Sequence, residues 1–137
     1  MKSLLPPSFA AAAVLLLLAA ASAQSTPVPQ VIPLPSGAGD LPLLTGAPQT
    51  AGLRSGLVRL QPTQTVGWHT TGAHEEALVI LRGHGAALIQ GQKDRPFVAP
   101  AVVYIPPATR HNIRNTGAGV LEYVYVVAPT VQEDRPK

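Results

Sequence analysis

Three histidines and one glutamate stand at spacings that suit a metal site. His69 and Glu76 lie seven residues apart, His74 lies between them, and His111 follows in a later apolar segment. Imidazole and carboxylate ligands together suit divalent Zn, Mn, Ni, Fe or Cu. The sequence therefore predicts one divalent metal ion bound by residues from the set His69, His74, Glu76 and His111, and the identity of the metal stays open. Glu75, the neighbour of Glu76, is expected to face solvent.

Several other chemistries are excluded. The chain has no cysteine, so disulfides, thiolate metal sites and cysteine nucleophiles are ruled out. It has no G-x-S-x-G elbow, no phosphate-binding loop and no HExxH motif. The net charge is +3 and the basic residues are scattered, so we expect no nucleic-acid partner. No catalytic residue can be assigned beyond the candidate ligands.

Short apolar runs, separated by Gly, Pro and Asn, predict the elements that position these side chains. The runs extend from about residue 52 to residue 129, and none has a useful helical period. About eight strands are expected, at 57–60, 67–71, 76–81, 86–90, 97–98, 101–105, 111–114 and 120–127. This pattern predicts an all-β sandwich or barrel. Since alternate residues of a strand share a face, a barrel can bring His69, Glu76 and His111 together.

The segments around these residues resemble the two sequence motifs of the cupin superfamily. The motifs have the forms G-x5-H-x-H-x4-E-x6-G and G-x5-P-x-G-x2-H-x3-N. The matching residues are His69, Glu76 and Gly83 in the first motif and Pro106, His111 and Asn115 in the second. The resemblance covers about residues 52 to 129. It implies a cupin jelly-roll β-barrel of about eight strands with a metal site inside.

The sequence departs from these motifs at four positions. Thr63 and Thr71 replace the leading glycine and the second histidine of the first motif, and Pro100 and Ala108 replace the two glycines of the second. We expect turns to absorb the changes at Pro100 and Ala108. The change at Thr71 has a larger consequence, because it removes one of the four ligands that the resemblance implies.

Three arrangements are compatible with the loss of that ligand. In the first, His69, Glu76 and His111 form a two-histidine, one-carboxylate site with open positions for a substrate or O2. In the second, His74 moves in from the loop ahead of Glu76 and restores a fourth ligand. In the third, metal binding has been lost, and the barrel binds an organic ligand or nothing.

Other side chains near the motifs have simpler expected roles. Tyr123 and Tyr125 are expected in the barrel core, with a pocket wall as the alternative. Arg110 is expected in solvent, with an anionic substrate at the barrel mouth as the alternative. Trp68 should point away from the metal, because it alternates with His69. Asn115 is expected to fix the turn that follows it.

The N-terminal residues have the features of a cleavable signal peptide. Lys2 supplies one positive charge, residues 9–21 are an unbroken apolar run, and Ala21-Ser22-Ala23 presents small residues to a signal peptidase. The run is shorter than the ~20 residues of a membrane span. We therefore expect cleavage after Ala23, a secreted or periplasmic protein, and no membrane contact after cleavage.

The rest of the chain divides into three parts. Residues 24–50 contain six prolines and are predicted to be a Pro-rich linker or arm, either disordered or extended with a short edge strand. Residues 51–129 are the predicted cupin barrel, and 130–137 are a C-terminal tail. A barrel of this size has a thin core, and both faces of residues 120–127 are apolar, so we expect a homodimer.

The resemblance leaves the activity open. Cupins include dioxygenases, decarboxylases, isomerases and lyases as well as non-enzymatic binders. The leading hypothesis is a secreted metal-binding barrel that serves a small-molecule reaction of the dioxygenase, isomerase or lyase type. The alternatives are a non-catalytic module that binds a sugar or an organic acid, and a structural dimer with a vestigial site.

Overall fold

A computed structural model describes residues 26–37 and 39–130. Within these ranges the regular elements are eight strands: β1 (Leu41–Thr45), β2 (Arg54–Leu60), β3 (His74–Arg82), β4 (His84–Ile89), β5 (Arg95–Val98), β6 (Ala101–Ile105), β7 (His111–Asn115) and β8 (Leu121–Pro129). The described ranges hold no helix of the length and hydropathy that a membrane crossing requires. The predicted signal peptide and residues 131–137 of the predicted tail lie outside the described residues.

The strands form two sheets of antiparallel neighbours. The larger sheet has the order β1-β2-β8-β3-β6, and the smaller has the order β5-β4-β7. The strands of each sheet coincide with apolar runs of the sequence, because every second residue of a strand points into the space between the two sheets and is buried there. The predicted all-β architecture of about eight strands is confirmed.

Two elements differ from the expectation. The predicted strand at 67–71 is wrong: within 65–69 the backbone forms only two isolated bridges, Thr65 with Arg114 and His69 with His111. Between the two bridges there are four residue steps in this segment but only three on β7, so the segment carries the extra residue of a β-bulge. Conversely, β1 lies inside the Pro-rich arm and pairs with β2 as an edge strand, which was one of the two alternatives for that arm.

The core lies between the sheets and is graded from one end to the other. Buried side chains of β2, β3 and β8 meet those of β4, β6 and β7; the core members are Val58, Leu60, Leu78, Ile80, Ala87, Ile105, Ile113, Leu121 and Tyr123. At one end of the large sheet the paired residues are Leu60 and Leu121. At the other end, Val127 pairs with Arg54 on one side and with Glu76 on the other. The barrel is therefore apolar at one end and polar at the other, where the candidate ligands lie.

One arginine attaches the arm to the large sheet. The Arg59 guanidinium donates hydrogen bonds to the carbonyls of Pro35 and Gly39 and pairs with Glu122, while its backbone N–H donates to Asp40. These contacts hold the part of the arm that precedes β1 against the outside of β2 and β8.

Candidate metal centre

Three of the four predicted ligands meet at the polar end of the barrel. One ligand atom from each of His69, Glu76 and His111 lies within 4.8 Å of the other two. Glu76 comes from β3 and is 5% exposed, His111 begins β7 and is fully buried, and His69 is exposed on the bulged segment. The two imidazole rings have their centroids 4.3 Å apart. Three candidate ligands that are far apart in sequence, two imidazoles and one carboxylate, therefore lie in one small volume.

The two buried members leave polar atoms without partners. With the ring proton of His111 on Nδ1, its Nε2 and Oε2 of Glu76 face each other at 3.1 Å as two acceptors, and neither has a hydrogen-bond partner. Two buried acceptors facing each other are costly unless a proton or a cation lies between them. Two ligand atoms about 2.1 Å from one metal would be roughly 3–3.5 Å apart. These residues therefore fit a divalent metal.

The backbone sets the tautomer of both histidines. Nδ1 of His69 lies 2.9 Å from the Gly67 carbonyl, and Nδ1 of His111 lies 3.0 Å from the Thr109 carbonyl. Because a carbonyl only accepts, each Nδ1 carries the proton, and the Nε2 lone pair of the neutral ring is left available. A carbonyl on the distal ring nitrogen is the usual second partner of a metal-binding histidine.

The surroundings of His111 also change its proton affinity. Burial lowers the pKa of His111, whereas the Glu76 carboxylate and the Thr109 carbonyl raise it. The net effect places the pKa of His111 above its ordinary value of 6.5. In the metal-free protein, a proton can thus occupy the position between the two buried side chains that a cation would otherwise fill.

A buried asparagine holds the bulged segment that carries His69. Asn112 is 5% exposed, and its Oδ1 accepts a hydrogen bond of 2.9 Å from the Gly67 N–H. The Gly67 carbonyl in turn accepts from His69, and the backbones of His69 and His111 exchange two hydrogen bonds of 2.9 Å. The extra residue of the bulge interrupts the regular ladder of backbone hydrogen bonds, and the Asn112 side chain supplies an acceptor for the Gly67 N–H there. Sequence reasoning missed Asn112, although an amide beside a predicted ligand was a signal.

The structure separates the remaining candidates from this cluster. His74 begins β3 and does not belong to the group of three; its Nδ1 lies 3.2 Å from the Thr71 carbonyl. Glu75 accepts a hydrogen bond from the exposed Tyr104 hydroxyl, which raises the pKa of Tyr104. Glu76, and not Glu75, therefore faces the cluster.

The cluster opens into a cavity of about 390 Å³ at the same end of the barrel. Its lining residues are Arg54, Val58, Val66, His69, Thr71, Glu76, Ile113, Tyr123, Tyr125 and Val127. Burial, with a smaller contribution from the Glu76 charge, raises the pKa of Tyr123, so its hydroxyl keeps its proton. Tyr123 and Tyr125 therefore form part of the cavity wall and also pack in or against the hydrophobic core. Arg110 lines a different surface pocket, and Trp68 is exposed outside this cavity.

The sequence of this chain matches a known protein family over most of the strands that form the two sheets. Residues 56–127 match the family described as Cupin domain, which is more than half of the chain. The chain belongs to the cupin family. Cupins commonly bind a metal and act on or bind small molecules. This cupin has a His-Glu-His cluster that could hold a metal ion. No curated protein sequence matches it significantly.

Solved structures show the same fold at low sequence identity. An RmlC-like cupin from Methanocaldococcus jannaschii has a TM-score of 0.64 at 19% identity, covering 74% of this chain and 92% of that one. The cupin domain of Cnp3 from Schizosaccharomyces pombe has a TM-score of 0.60 at 15% identity, over 66% and 64%. A protein from Thermotoga maritima described as a predicted oxalate decarboxylase has a TM-score of 0.53 at 22% identity, over 67% and 93%.

Two departures from the cupin motifs occupy backbone positions that favour glycine. Thr63 has φ +71° and Ala108 has φ +56°, both in the left-handed region. A residue with a Cβ costs roughly 1–2 kcal/mol there. The turn does absorb the alanine, as expected, but its conformation is strained. Thr71 lines the cavity, and its hydroxyl donates to the His74 carbonyl at 2.8 Å.

Proposed function

We propose that this cupin binds one divalent metal ion through His69, Glu76 and His111. The observation that carries the proposal is the buried pair of partnerless acceptors, Glu76 Oε2 and His111 Nε2, 3.1 Å apart. His74 is left out of the ligand set, because its ring lies outside the cluster. Zn, Mn, Ni, Fe and Cu all accept this combination of imidazole and carboxylate.

Three protein ligands leave coordination positions open toward the cavity. A bound metal supplies a Lewis acid there, or a centre for O2 chemistry. The protein contributes the rest: apolar walls from Val58, Val127 and Ile113 limit the access of water, and the Tyr123 hydroxyl stays protonated and can donate a hydrogen bond. The cavity volume of about 390 Å³ suits a small molecule, either as a substrate or as a ligand that is bound without turnover.

The metal content of the mature protein tests this proposal. The protein is refolded metal-free and offered Mn, Fe(II), Ni, Cu and Zn in turn, and bound metal is measured by elemental analysis. We expect near-stoichiometric binding that is lost in His69→Ala and in His111→Ala. His74→Ala and the matched control His84→Ala, an exposed residue outside the cavity, should keep it. If no metal binds above background in the wild-type protein, the proposal is wrong.

We further propose that the chain is exported and that residues 1–23 are removed. The support is the charged residue, apolar run and small-residue site described above. N-terminal sequencing of protein recovered from a bacterial periplasm or culture medium should begin at Gln24. Retention of Met1 on the protein in the cytosol would contradict this proposal.

We also propose a homodimer formed through the outer face of the large sheet. Val79, Val102 and Tyr104 are 39%, 69% and 58% exposed, and Val79 and Val102 are paired neighbours on β3 and β6. A contiguous apolar sheet face is typical of an interaction surface. Sedimentation should show a dimer that Val102→Glu dissociates. Val98→Glu, at a valine on β5 that is also exposed, should leave the dimer intact, and a wild-type monomer would refute the proposal.

A further inference from the structure

A cationic residue, Arg54, occupies an inward position of the large sheet. Arg54 is the first residue of β2, and it pairs with Val127 on β8, which pairs with Glu76 on β3. Cross-strand partners share a face of the sheet, so Arg54 lies on the same face as Glu76, two strands away, at a Cα separation of roughly 10 Å. Both residues line the same cavity.

The Arg54 side chain is exposed, and its stem passes close to one neighbour. A Cβ added to Gly46, a buried residue after β1, would lie 3.3 Å from Cγ of Arg54, so the stem passes close over this glycine. Within residues 26–37 and 39–130, the Arg54 guanidinium makes no ion pair. An exposed cation at the rim of the cavity, without an ion-pair partner among the described residues, is suited to an anionic ligand.

A tyrosine lies beside Arg54 on the same wall. A Cβ on Gly56 would lie 2.6–2.8 Å from three atoms of the Tyr125 side chain, namely two ring carbons and the hydroxyl oxygen. The glycine therefore permits Tyr125 to lie across β2, one inward position from Arg54. Tyr125 also lines the cavity, so its hydroxyl can donate to a ligand that Arg54 binds.

The charges of the site favour an anion. With one divalent ion, the Glu76 carboxylate and two neutral imidazoles, the metal centre carries a charge of about +1, and Arg54 adds another. We propose that the cavity binds a small organic carboxylate, with its carboxylate on Arg54 and Tyr125 and a second oxygen at the metal. This inference rests on the proposed metal site and adds the ligand class.

Isothermal titration of the zinc-loaded protein tests the ligand class. The probes are glycolate, malonate and succinate, and the corresponding neutral amides are the controls. We expect at least one acid to bind and its amide not to bind. Loss of a hydrogen bond between charged groups should weaken binding of that acid about tenfold to a hundredfold in Arg54→Gln. Arg54→Lys should recover part of the loss, and Tyr125→Phe should weaken binding less than Arg54→Gln.

Arg110→Gln is the matched control, because Arg110 is an exposed arginine outside this cavity. It should bind the acid as the wild type does. The inference is wrong if no acid binds better than its amide, if Arg54→Gln binds within twofold of wild type, or if Arg110→Gln loses as much affinity.

Metal stoichiometry, measured on every variant, separates this inference from the proposed function. Arg54→Gln should retain the full metal content, because Arg54 is not a ligand. Full metal content without acid binding would refute the ligand class alone. Acid binding that depends on Arg54 in a protein that takes up no metal would refute the metal site and the metal contact of the acid, while supporting the anion site.

Discussion

Replacement of Asn112 by alanine should weaken metal binding without touching a ligand. The change removes the acceptor of the 2.9 Å hydrogen bond from Gly67 N–H, and the Gly67 carbonyl is the partner of His69 Nδ1. A polar group left without its partner costs about 1–3 kcal/mol. For a domain of this size, each kcal/mol corresponds to roughly 4–8 °C in Tm. Loss of such an outer partner lowers metal affinity about 10- to 100-fold.

A second buried asparagine on the same strand supplies the control. Asn115 donates hydrogen bonds to the carbonyls of Leu60 and Gly119 and accepts one from Gly117 N–H, so it fixes the turn after β7 as the sequence predicted. Asn115→Ala removes three hydrogen bonds at the apolar end of the barrel. We expect it to lower the Tm at least as much as Asn112→Ala does, but to leave metal affinity within about twofold of wild type.

The assay is competition for zinc against a chelator of known affinity, at a temperature where thermal melts show every variant to be folded. A specific loss of affinity in Asn112→Ala would support the role of the bulge in positioning His69. Equal metal affinity in Asn112→Ala and wild type, despite a lowered Tm, would refute it. Equal losses of affinity in the two alanine variants would show a general effect of stability instead.

Three further expectations concern backbone strain, pH and the arm. Ala108→Gly should raise the free energy of unfolding by roughly 0.5–1 kcal/mol in chemical denaturation, because relief of the left-handed strain exceeds the added entropy of the unfolded chain. Because the pKa of His111 is raised in the folded protein, protonation of His111 stabilises the metal-free protein fully below about pH 6.5, and this stabilisation is lost as the pH rises through the folded pKa. The rise in Tm on adding zinc should show the opposite trend and grow from pH 6 to pH 8, since protons compete with the metal for the ligands. Arg59→Met should speed proteolysis of the arm ahead of β1, because it removes the hydrogen bonds to Pro35 and Gly39.

Each of these three expectations has a result that would contradict it. An unchanged or lower stability of Ala108→Gly would show that the turn is not strained. A zinc-induced rise in Tm that shrinks between pH 6 and pH 8 would contradict competition between protons and the metal. Cleavage of the arm in Arg59→Met at the wild-type rate would show that Arg59 does not hold it, with Arg82→Met as the exposed control.

The sequence predicted the parts of this protein that depend on regular alternation. Seven of the eight predicted strands are present, because period-2 apolar runs are what a two-layered β fold requires. The spacing of His69, Glu76 and His111 likewise predicted which side chains meet. The segment at 67–71 escaped prediction, since a bulge follows from pairing with β7 and not from local propensity.

The least predictable features depend on contacts between distant residues. Arg54 looks like an ordinary polar residue at the start of a strand, and only the β2-β8-β3 order places it on the same wall as Glu76. Arg110, next to His111 in sequence, is exposed outside the cavity, in agreement with its expected place in solvent. The hydrogen bond from Gly67 to Asn112 spans 45 residues, which no local pattern encodes.

The unequal burial of the three candidate ligands has a kinetic consequence. Glu76 and His111 belong to strands of opposite sheets and are closed off from solvent, whereas His69 is exposed on a segment outside the regular ladder. Rotation of one exposed ring is a fast motion, and opening of a sheet is a slow one. Ion entry and escape at the proposed site therefore need only the His69 side to move, and the folded chain can exchange a bound metal without unfolding.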